Sequence, residues 1–111
     1  LSVAGAASLQ QSVELLRRCT ALVCNDSGVQ HLAAAVGTPC VSLFSRRDFR
    51  AKWRPYGSQH TVIHKWVECH TCFLDQCPVG NRCINLIGID EVVAATERIL
   101  ASSGARSLSA A

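Results

Sequence analysis

The segment from Thr20 to Phe44 constrains the fold most, because it has the pattern of a strand, a helix and a second strand in close succession. Its first part, Thr20 to Cys24, is a short apolar run typical of a parallel strand that is covered on both faces. The alanine-rich stretch Val29 to Val36 predicts a helix, and the glycine and proline that follow are typical stop signals. The apolar run Cys40 to Phe44 then predicts the next strand. This order predicts a parallel sheet with a right-handed βαβ crossover.

Two further elements flank this unit. Ser8 and Gln11 have the spacing of a capping box, in which a serine hydroxyl and a glutamine amide satisfy free N–H groups at a helix start. They predict a helix over Ser8 to Arg18 with an apolar face. The alternating run His60 to His64 predicts a third strand. The fold class expected from these elements is α/β.

Length and composition allow one domain and a tail. A chain of 111 residues with 49% hydrophobic content can bury one moderate core. We expect a domain over 1–101, closed by a helix that Asp90 caps and that ends at Leu100. The small polar residues of 102–111 predict a flexible tail. Since the chain starts without methionine, we interpret it as a C-terminal fragment of a longer protein.

Charge and hydropathy exclude some functions. The formal net charge of +3 is too small an excess to indicate nucleic-acid binding, so no nucleic-acid partner is expected. No apolar run reaches the roughly 18 to 20 residues that a membrane-spanning helix needs, and the start lacks a signal-peptide pattern. These observations predict a cytoplasmic protein.

The turn between the first two predicted elements carries polar residues. In parallel sheets, ligands bind outside the carboxyl ends of strands, where helix starts present free N–H groups. Gly28 would let a ligand approach the backbone, Ser27 offers a hydroxyl, and His31 lies one helical turn further on. Asp26 could accept hydrogen bonds from sugar hydroxyls. This pattern fits a phosphate ester, but a simple helix cap without any ligand fits it as well.

A cysteine-rich loop over 69–83 raises the possibility of a metal. Cys69, Cys72, Cys77 and Cys83 lie at short intervals, which in a cytosolic chain suggests zinc or an iron–sulfur cluster. The spacer is shorter than in paired zinc motifs, so free packed thiols, or thiols that oxidise in the purified protein, are the alternative. We predict no catalytic role for these cysteines and assign no metal ligand, although the sequence does not decide whether they bind a metal. The three other cysteines, in or beside apolar elements, are interpreted as buried thiols: Cys19, Cys24 and Cys40.

Basic residues gather after the second predicted strand. This set, which lies on the expected ligand side of the sheet, could be a solvated loop or could supply one or two contacts to an anion. The sequence does not distinguish among its members, Arg46, Arg47, Arg50, Lys52 and Arg54.

The stretch "NDSGVQHLAAAVGTPCVSLF" resembles the D-[ST]-G-x-x-H-x-A-A-x-x-G-x-P segment of the lipopolysaccharide heptosyltransferases of glycosyltransferase family nine. "RAKWRPYG" and "CHTCFLDQCPVGNRC" are similar to later segments of that family. The resemblance implies the C-terminal half of a truncated GT-B glycosyltransferase, in which 1–101 is part of a Rossmann-like nucleotide-sugar-binding domain.

The resemblance also implies a set of roles. Asp26 would hold hydroxyls of the donor sugar, Ser27 and Gly28 would bind the diphosphate, and His31 would support the same anion. The donor would be ADP-heptose or a similar nucleotide-sugar, with no cofactor required. The acceptor would be a lipid-linked saccharide of the lipopolysaccharide core, with peripheral association at the inner membrane.

The chain departs from the family in what it lacks. The acceptor half with its general base and the first strands of the donor half, with an expected lysine, are missing from the sequence. The fragment is therefore expected to be inactive alone, and its catalytic residues would lie elsewhere. The alternative function is a binding or structural module organised around a cysteine-bound metal.

Overall fold

The computed structural model describes residues 1–49 and 51–110, with side chains described up to residue 104. Along the chain, the elements are α1 (Leu9–Arg18), β1 (Leu22–Asn25), α2 (Gly28–Ala35), β2 (Cys40–Leu43), β3 (Thr61–Ile63), α3 (Arg82–Asn85) and α4 (Ile89–Ala110). In the described part of the chain, the three strands form one parallel sheet in the order β1-β2-β3. The α/β class and the parallel pairing of the first two strands are confirmed.

The capping box of α1 is also confirmed. The backbone N–H of Gln11 donates to Ser8 Oγ at 3.2 Å, and the N–H of Ser8 donates to Gln11 Oε1 at 2.8 Å. The helix buries Leu16, whereas Leu9 and Leu15 are exposed, so the apolar face is narrower than the spacing predicts. A buried hydrogen bond from Thr38 Oγ1 to the carbonyl oxygen of Leu16, at 2.6 Å, ties α1 to the turn before β2.

The core lies on both sides of β2. On one face, Cys40 packs with Leu16 of α1 and Ala33 of α2. On the other face, Val41 packs with Ala95 and Ile99 of α4. The central strand is therefore the best-covered element of the sheet, as expected for a parallel strand between two helical layers.

The prediction that the first strand is covered on both faces is wrong. In β1, Leu22 and Cys24 are half-buried and Val23 is 46% exposed. The cause is the position of α4, which packs on β2 and leaves the same face of β1 open, since β1 is at the edge of the described sheet.

The last helix differs from the prediction at both ends. It begins at Ile89, so Asp90 lies inside the first turn and is not the cap. The residue before the helix is Gly88, whose N–H donates to Glu91 Oε1 at 2.9 Å, and this bond supplies the cap interaction in place of Asp90. The helix continues past Leu100 to Ala110, so the backbone of 102–110 is helical. The flexibility of 102–111 stays a prediction.

No helix among the residues that the structure describes combines the length and the apolar character needed to cross a membrane.

Candidate functional site

The turn after β1 places the predicted site residues together at the carboxyl edge of the sheet. The backbone N–H of Asp26 donates to the carbonyl oxygen of Leu43 at 3.0 Å, which extends the β1–β2 pairing by one residue. Ser27 and Gly28 follow directly, and α2 begins at Gly28. Both residues and His31 are exposed. The residues predicted to bind a donor therefore share one accessible surface.

A buried glutamine orients the Asp26 carboxylate. Gln30 is fully buried, and its Nε2 donates to Asp26 Oδ1 at 2.9 Å and to the carbonyl oxygen of Trp53 at 3.0 Å. Sequence reasoning missed this residue. Its position four residues after Asp26 could have indicated the contact, since side chains four residues apart meet on one side of a helix.

The surroundings of Asp26 raise the pKa of its carboxyl group. Partial burial is the largest cause, and the carboxylate of Asp48 acts in the same direction. The hydrogen bond from Gln30 and the nearby charge of His31 oppose the increase. Asp26 and His31 are thus electrostatically coupled, which fits the expectation that they serve one ligand.

The start of α2 has no side-chain cap. Ser27 stands at the N-cap position, yet its hydroxyl donates to the carbonyl oxygen of Asn25 at 3.2 Å and accepts no bond from the helix. The Asp26 carboxylate is bonded to Gln30 instead. The simple helix-cap interpretation therefore lacks the hydrogen bond that would define it. A Cβ atom at Gly28 would meet no neighbour within 4 Å, so the start of α2 is open to a ligand on that side.

A small cleft lies next to this turn. Its enclosed volume is about 20 Å³, which is room for a single water molecule. Asp26 lines one side, and residues from the loop after β2 line the other, among them Arg46, Asp48, Trp53 and Arg54. A ligand as large as a nucleotide would therefore lie across the mouth of the cleft and not inside it.

Among the clustered basic residues, Arg46 is distinct. It is 8% exposed, and its guanidinium lies 5.7 Å from the ring centroid of Trp66. Arg47 forms an ion pair with Asp75, and Lys52 Nζ lies 3.5 Å from Asp48 Oδ2. Arg54 lines the cleft with Arg46, and Arg50 lies outside the described residues. A buried cation at the carboxyl end of β2 is the member of this set with the most constrained position.

The cysteines differ in part from the predictions. Cys69, Cys72 and Cys77 lie in irregular segments as expected, but Cys83 lies in α3, so the loop is interrupted by a short helix. Cys40 is buried, whereas Cys19 is exposed because it directly follows the end of α1. Over residues 1–49 and 51–110, no group of three or more His, Cys, Asp or Glu side chains is arranged to hold a metal. The metal-centred alternative has no geometric support in that part of the chain.

Comparison with known proteins bears on the family. The family model for glycosyltransferase family 9 (heptosyltransferase) matches residues 1–82. The chain is 46% identical over 44 residues to lipooligosaccharide heptosyltransferase 2 of Haemophilus influenzae, which covers 40% of this chain and 13% of that protein. It is also 46% identical over 50 residues to lipopolysaccharide heptosyltransferase 2 of Salmonella typhimurium and of Escherichia coli, covering 43% of this chain and 14% of each relative. No solved structure matches the chain.

The matched stretches are short relative to the curated relatives, so this chain corresponds to a small part of their length. The family model, in contrast, extends over most of this chain, from the segment before α1 to the start of α3. The resemblance read from the sequence is confirmed at the level of the family. The chain belongs to glycosyltransferase family 9, the heptosyltransferases.

Proposed function

We propose that this chain is the donor-binding part of a GT-B glycosyltransferase that transfers a heptose, or a related sugar, from ADP-heptose to a lipopolysaccharide core acceptor. The observation that carries the proposal is the orientation of Asp26 by the buried amide of Gln30. Burying an amide costs free energy unless its groups are hydrogen-bonded. Here the amide nitrogen of Gln30 donates to the carboxylate of Asp26, which lies at the exposed edge of the sheet. Such an arrangement suits a carboxylate that receives hydroxyl groups from a sugar.

The diphosphate would bind at the start of α2. The free N–H groups of this helix and its dipole attract an anion, and no acidic residue in the first turn opposes it. The absence of a Cβ at Gly28 lets phosphate oxygens approach the backbone closely. His31 lies on the same exposed surface and would support the anion through its imidazole ring. The Asp26 carboxylate would then face the sugar, since direct contact with a phosphate would be repulsive.

These groups would lower the barrier by stabilising the leaving group. Negative charge grows on the departing ADP as its bond to the sugar breaks, and preoriented N–H groups stabilise that charge without rearranging. Loss of one such donor costs roughly 3 to 4 kcal/mol in other enzymes. The proposed transfer requires no cofactor. The general base that accepts the proton of the acceptor hydroxyl would come from a separate half of the protein.

The acceptor is a lipid-linked saccharide that would be bound by the other GT-B half, and the protein would act in the cytoplasm, at the surface of the inner membrane. This piece would bind donor but would not turn it over alone. Family membership supports the reaction class, and the edge position of β1 leaves room for further strands of a larger sheet.

The test is calorimetric titration of ADP-heptose and of ADP against the wild type and Asp26→Asn. A hydrogen bond to a charged group contributes about 1.5 to 3 kcal/mol, so we expect Asp26→Asn to weaken ADP-heptose about tenfold or more. ADP, which lacks the sugar, should lose much less. The matched control is Asp90→Asn, an exposed aspartate in the first turn of α4, which should leave both affinities unchanged. Equal losses for the two ligands in Asp26→Asn would remove the sugar-holding role.

A further inference from the structure

A larger cavity, which shares Ser45 and Arg46 with the donor cleft, has the four clustered cysteines on its wall. It has a volume of about 120 Å³ and lies between the segment after β2 and the segment that leads into α3. All four thiols are free. The cavity wall includes every one of them: Cys69, Cys72, Cys77 and Cys83.

One of these cysteines has a distinct environment. The sulfur of Cys77 accepts hydrogen bonds from the backbone N–H groups of Val79, Asn81 and Arg82. Within this segment, Gly80 and Asn81 have a left-handed backbone, with φ of 67° and 56°. Converging backbone N–H groups form an anion-binding concavity. These bonds favour the thiolate and lower the pKa of Cys77.

The concave turn is held in shape by its own contacts. The carbonyl oxygen of Asn81 accepts bonds at 3.0 Å from the N–H groups of Ile84 and Asn85. The side chain of Asn85 donates from Nδ2 to the carbonyl oxygen of Gly80 at 2.8 Å. The N–H groups around Cys77 are therefore positioned before any reaction partner arrives.

The charges of the cavity wall also suit an anionic sulfur. The wall includes Arg46, Arg47 and Arg82. Its acidic member, Asp75, is already paired with Arg47. A thiolate that backbone N–H groups favour, with other thiols and arginines on the same cavity wall, has both the reactivity and the neighbours that disulfide exchange needs.

We propose that Cys77 is a thiol-modification site, where a low-molecular-weight disulfide such as oxidised glutathione reacts and a second cavity cysteine then closes an internal disulfide. In the first step, the Cys77 thiolate attacks one sulfur of glutathione disulfide, and glutathione thiolate leaves. In the second step, the thiolate of Cys69, Cys72 or Cys83 attacks the sulfur of Cys77 and releases the second glutathione thiolate. The protein loses two electrons to the glutathione disulfide. This inference does not depend on the proposed function.

The first test is the rate of alkylation of each cysteine by iodoacetamide, measured by mass spectrometry at pH 6.5 and at pH 10. Cys19, an exposed cysteine at the end of α1, is the internal control. Accessibility alone would make Cys19 react faster, since Cys77 is half-buried. A tenfold gain in thiolate fraction raises the rate about threefold, because nucleophilicity falls with pKa. We expect Cys77 to react at least about threefold faster than Cys19 at pH 6.5, and without that advantage at pH 10. Equal or slower reaction of Cys77 at pH 6.5 would overturn the proposal.

The second test locates the disulfide after exposure of the protein to oxidised glutathione. Trypsin leaves three of the cavity cysteines in the peptide 66–82 and places Cys83 in the peptide 83–98, and cleavage before Asp75 separates Cys77 from the other two. We expect a disulfide that includes Cys77, and we expect it to disappear in Cys77→Ser but not in Cys19→Ser. A disulfide that excludes Cys77, or glutathione left attached to Cys77, would overturn the proposal.

Two variants of Asn81 test whether the hydrogen-bonded turn, and not the thiol alone, causes the fast reaction of Cys77. Asn81→Gly keeps a residue that adopts positive φ freely, whereas Asn81→Val places a β-branched side chain where it is strained. Asn81→Gly should keep the fast reaction of Cys77 at pH 6.5, and Asn81→Val should slow it to the rate of Cys19. The same fast rate in Asn81→Val would show that the turn does not activate the thiol.

Discussion

Gln30 Nε2 donates to Asp26 Oδ1 at 2.9 Å from a position that is fully buried beneath the start of α2. The same nitrogen reaches the carbonyl oxygen of Trp53, so one side chain connects the turn after β1 with the loop after β2. The carboxylate is therefore oriented from within the core and not by solvent. Its usefulness to a ligand depends on a residue that no ligand would contact.

Replacement of Gln30 with methionine tests this dependence. Gln30→Met keeps the length and approximate volume of the side chain but removes both hydrogen bonds. The bond to the Trp53 carbonyl contributes about 0.5 to 1.5 kcal/mol, and the bond to the Asp26 carboxylate about 1.5 to 3 kcal/mol. We expect ADP-heptose to bind roughly tenfold more weakly, because Asp26 loses its orientation. Calorimetry measures the affinity, and thermal unfolding reports any loss of fold. Gln10→Met, an exposed glutamine on α1, is the control. Unchanged affinity in Gln30→Met would contradict the positioning role.

Replacement of Gly28 with valine tests the approach to the backbone. The position has ordinary backbone geometry, and an added Cβ atom would meet no neighbour within 4 Å. The fold should therefore tolerate valine, which has a higher helix propensity than glycine. The branched side chain would occupy the space that phosphate oxygens need. We expect ADP binding to be lost, with a melting temperature close to wild type. Gly104→Val, in α4, offers a helical glycine in open space as a control. Retained ADP binding would reduce the turn to a structural role.

The pH dependence of stability should carry a contribution from Glu91. Hydrogen bonds from Lys65 Nζ, at 2.7 Å, and from the N–H of Gly88 hold the pKa of this carboxyl below its ordinary value. The folded state therefore binds the proton less readily than the unfolded state. The stabilisation is present above the unfolded pKa and is lost as the pH falls through the folded pKa.

Glu91→Gln should accordingly unfold at lower denaturant concentration than wild type at about pH 7, and the gap should narrow below about pH 4. Chemical denaturation across this pH range measures it. Glu97→Gln, an exposed glutamate of α4, should show no comparable change. A gap that is constant with pH would indicate that the carboxylate charge plays no part.

Replacement of Cys72 with serine should leave donor binding intact in the reduced protein. Cys72 is exposed on the wall of the cysteine cavity and does not line the donor cleft. We expect the dissociation constant for ADP to stay within about twofold of wild type, since substitutions of exposed residues outside such sites usually change free energies by less than about 0.5 kcal/mol. A large loss of ADP affinity in a variant that remains folded would assign this cysteine to the binding site.

Local sequence signals predicted most of the elements. The capping box at Ser8 and Gln11 fixes the start of α1 through contacts three residues apart, which is why the sequence alone locates it. The strand β2 is also predicted by local sequence, because an apolar run is typical of a strand that is covered on both faces. The exposure of Val23 could not be predicted, because it depends on where α4 packs, and α4 lies far along the chain.

The residues of the candidate site also differ in whether local sequence or long-range packing determines their role. Asp26, Ser27, Gly28 and His31 are consecutive or one turn apart, so a short motif contains them. Gln30 reads as an ordinary polar helix residue until the loop at Trp53 covers it, and Arg46 reads as one of several surface cations until Trp66 packs against it. Their burial is set by long-range contacts that no local spacing reveals.

The bond from the Asp26 N–H to the carbonyl oxygen of Leu43 makes this residue a rung of the β-ladder as well as a member of the candidate site. Local fluctuations that open a loop would not release such an amide, because its exchange with solvent requires separation of β1 from β2. The geometry at Asp26 is therefore as durable as the pairing of the strands themselves. Amide hydrogen exchange at this position would report the integrity of the sheet and of the site in a single signal.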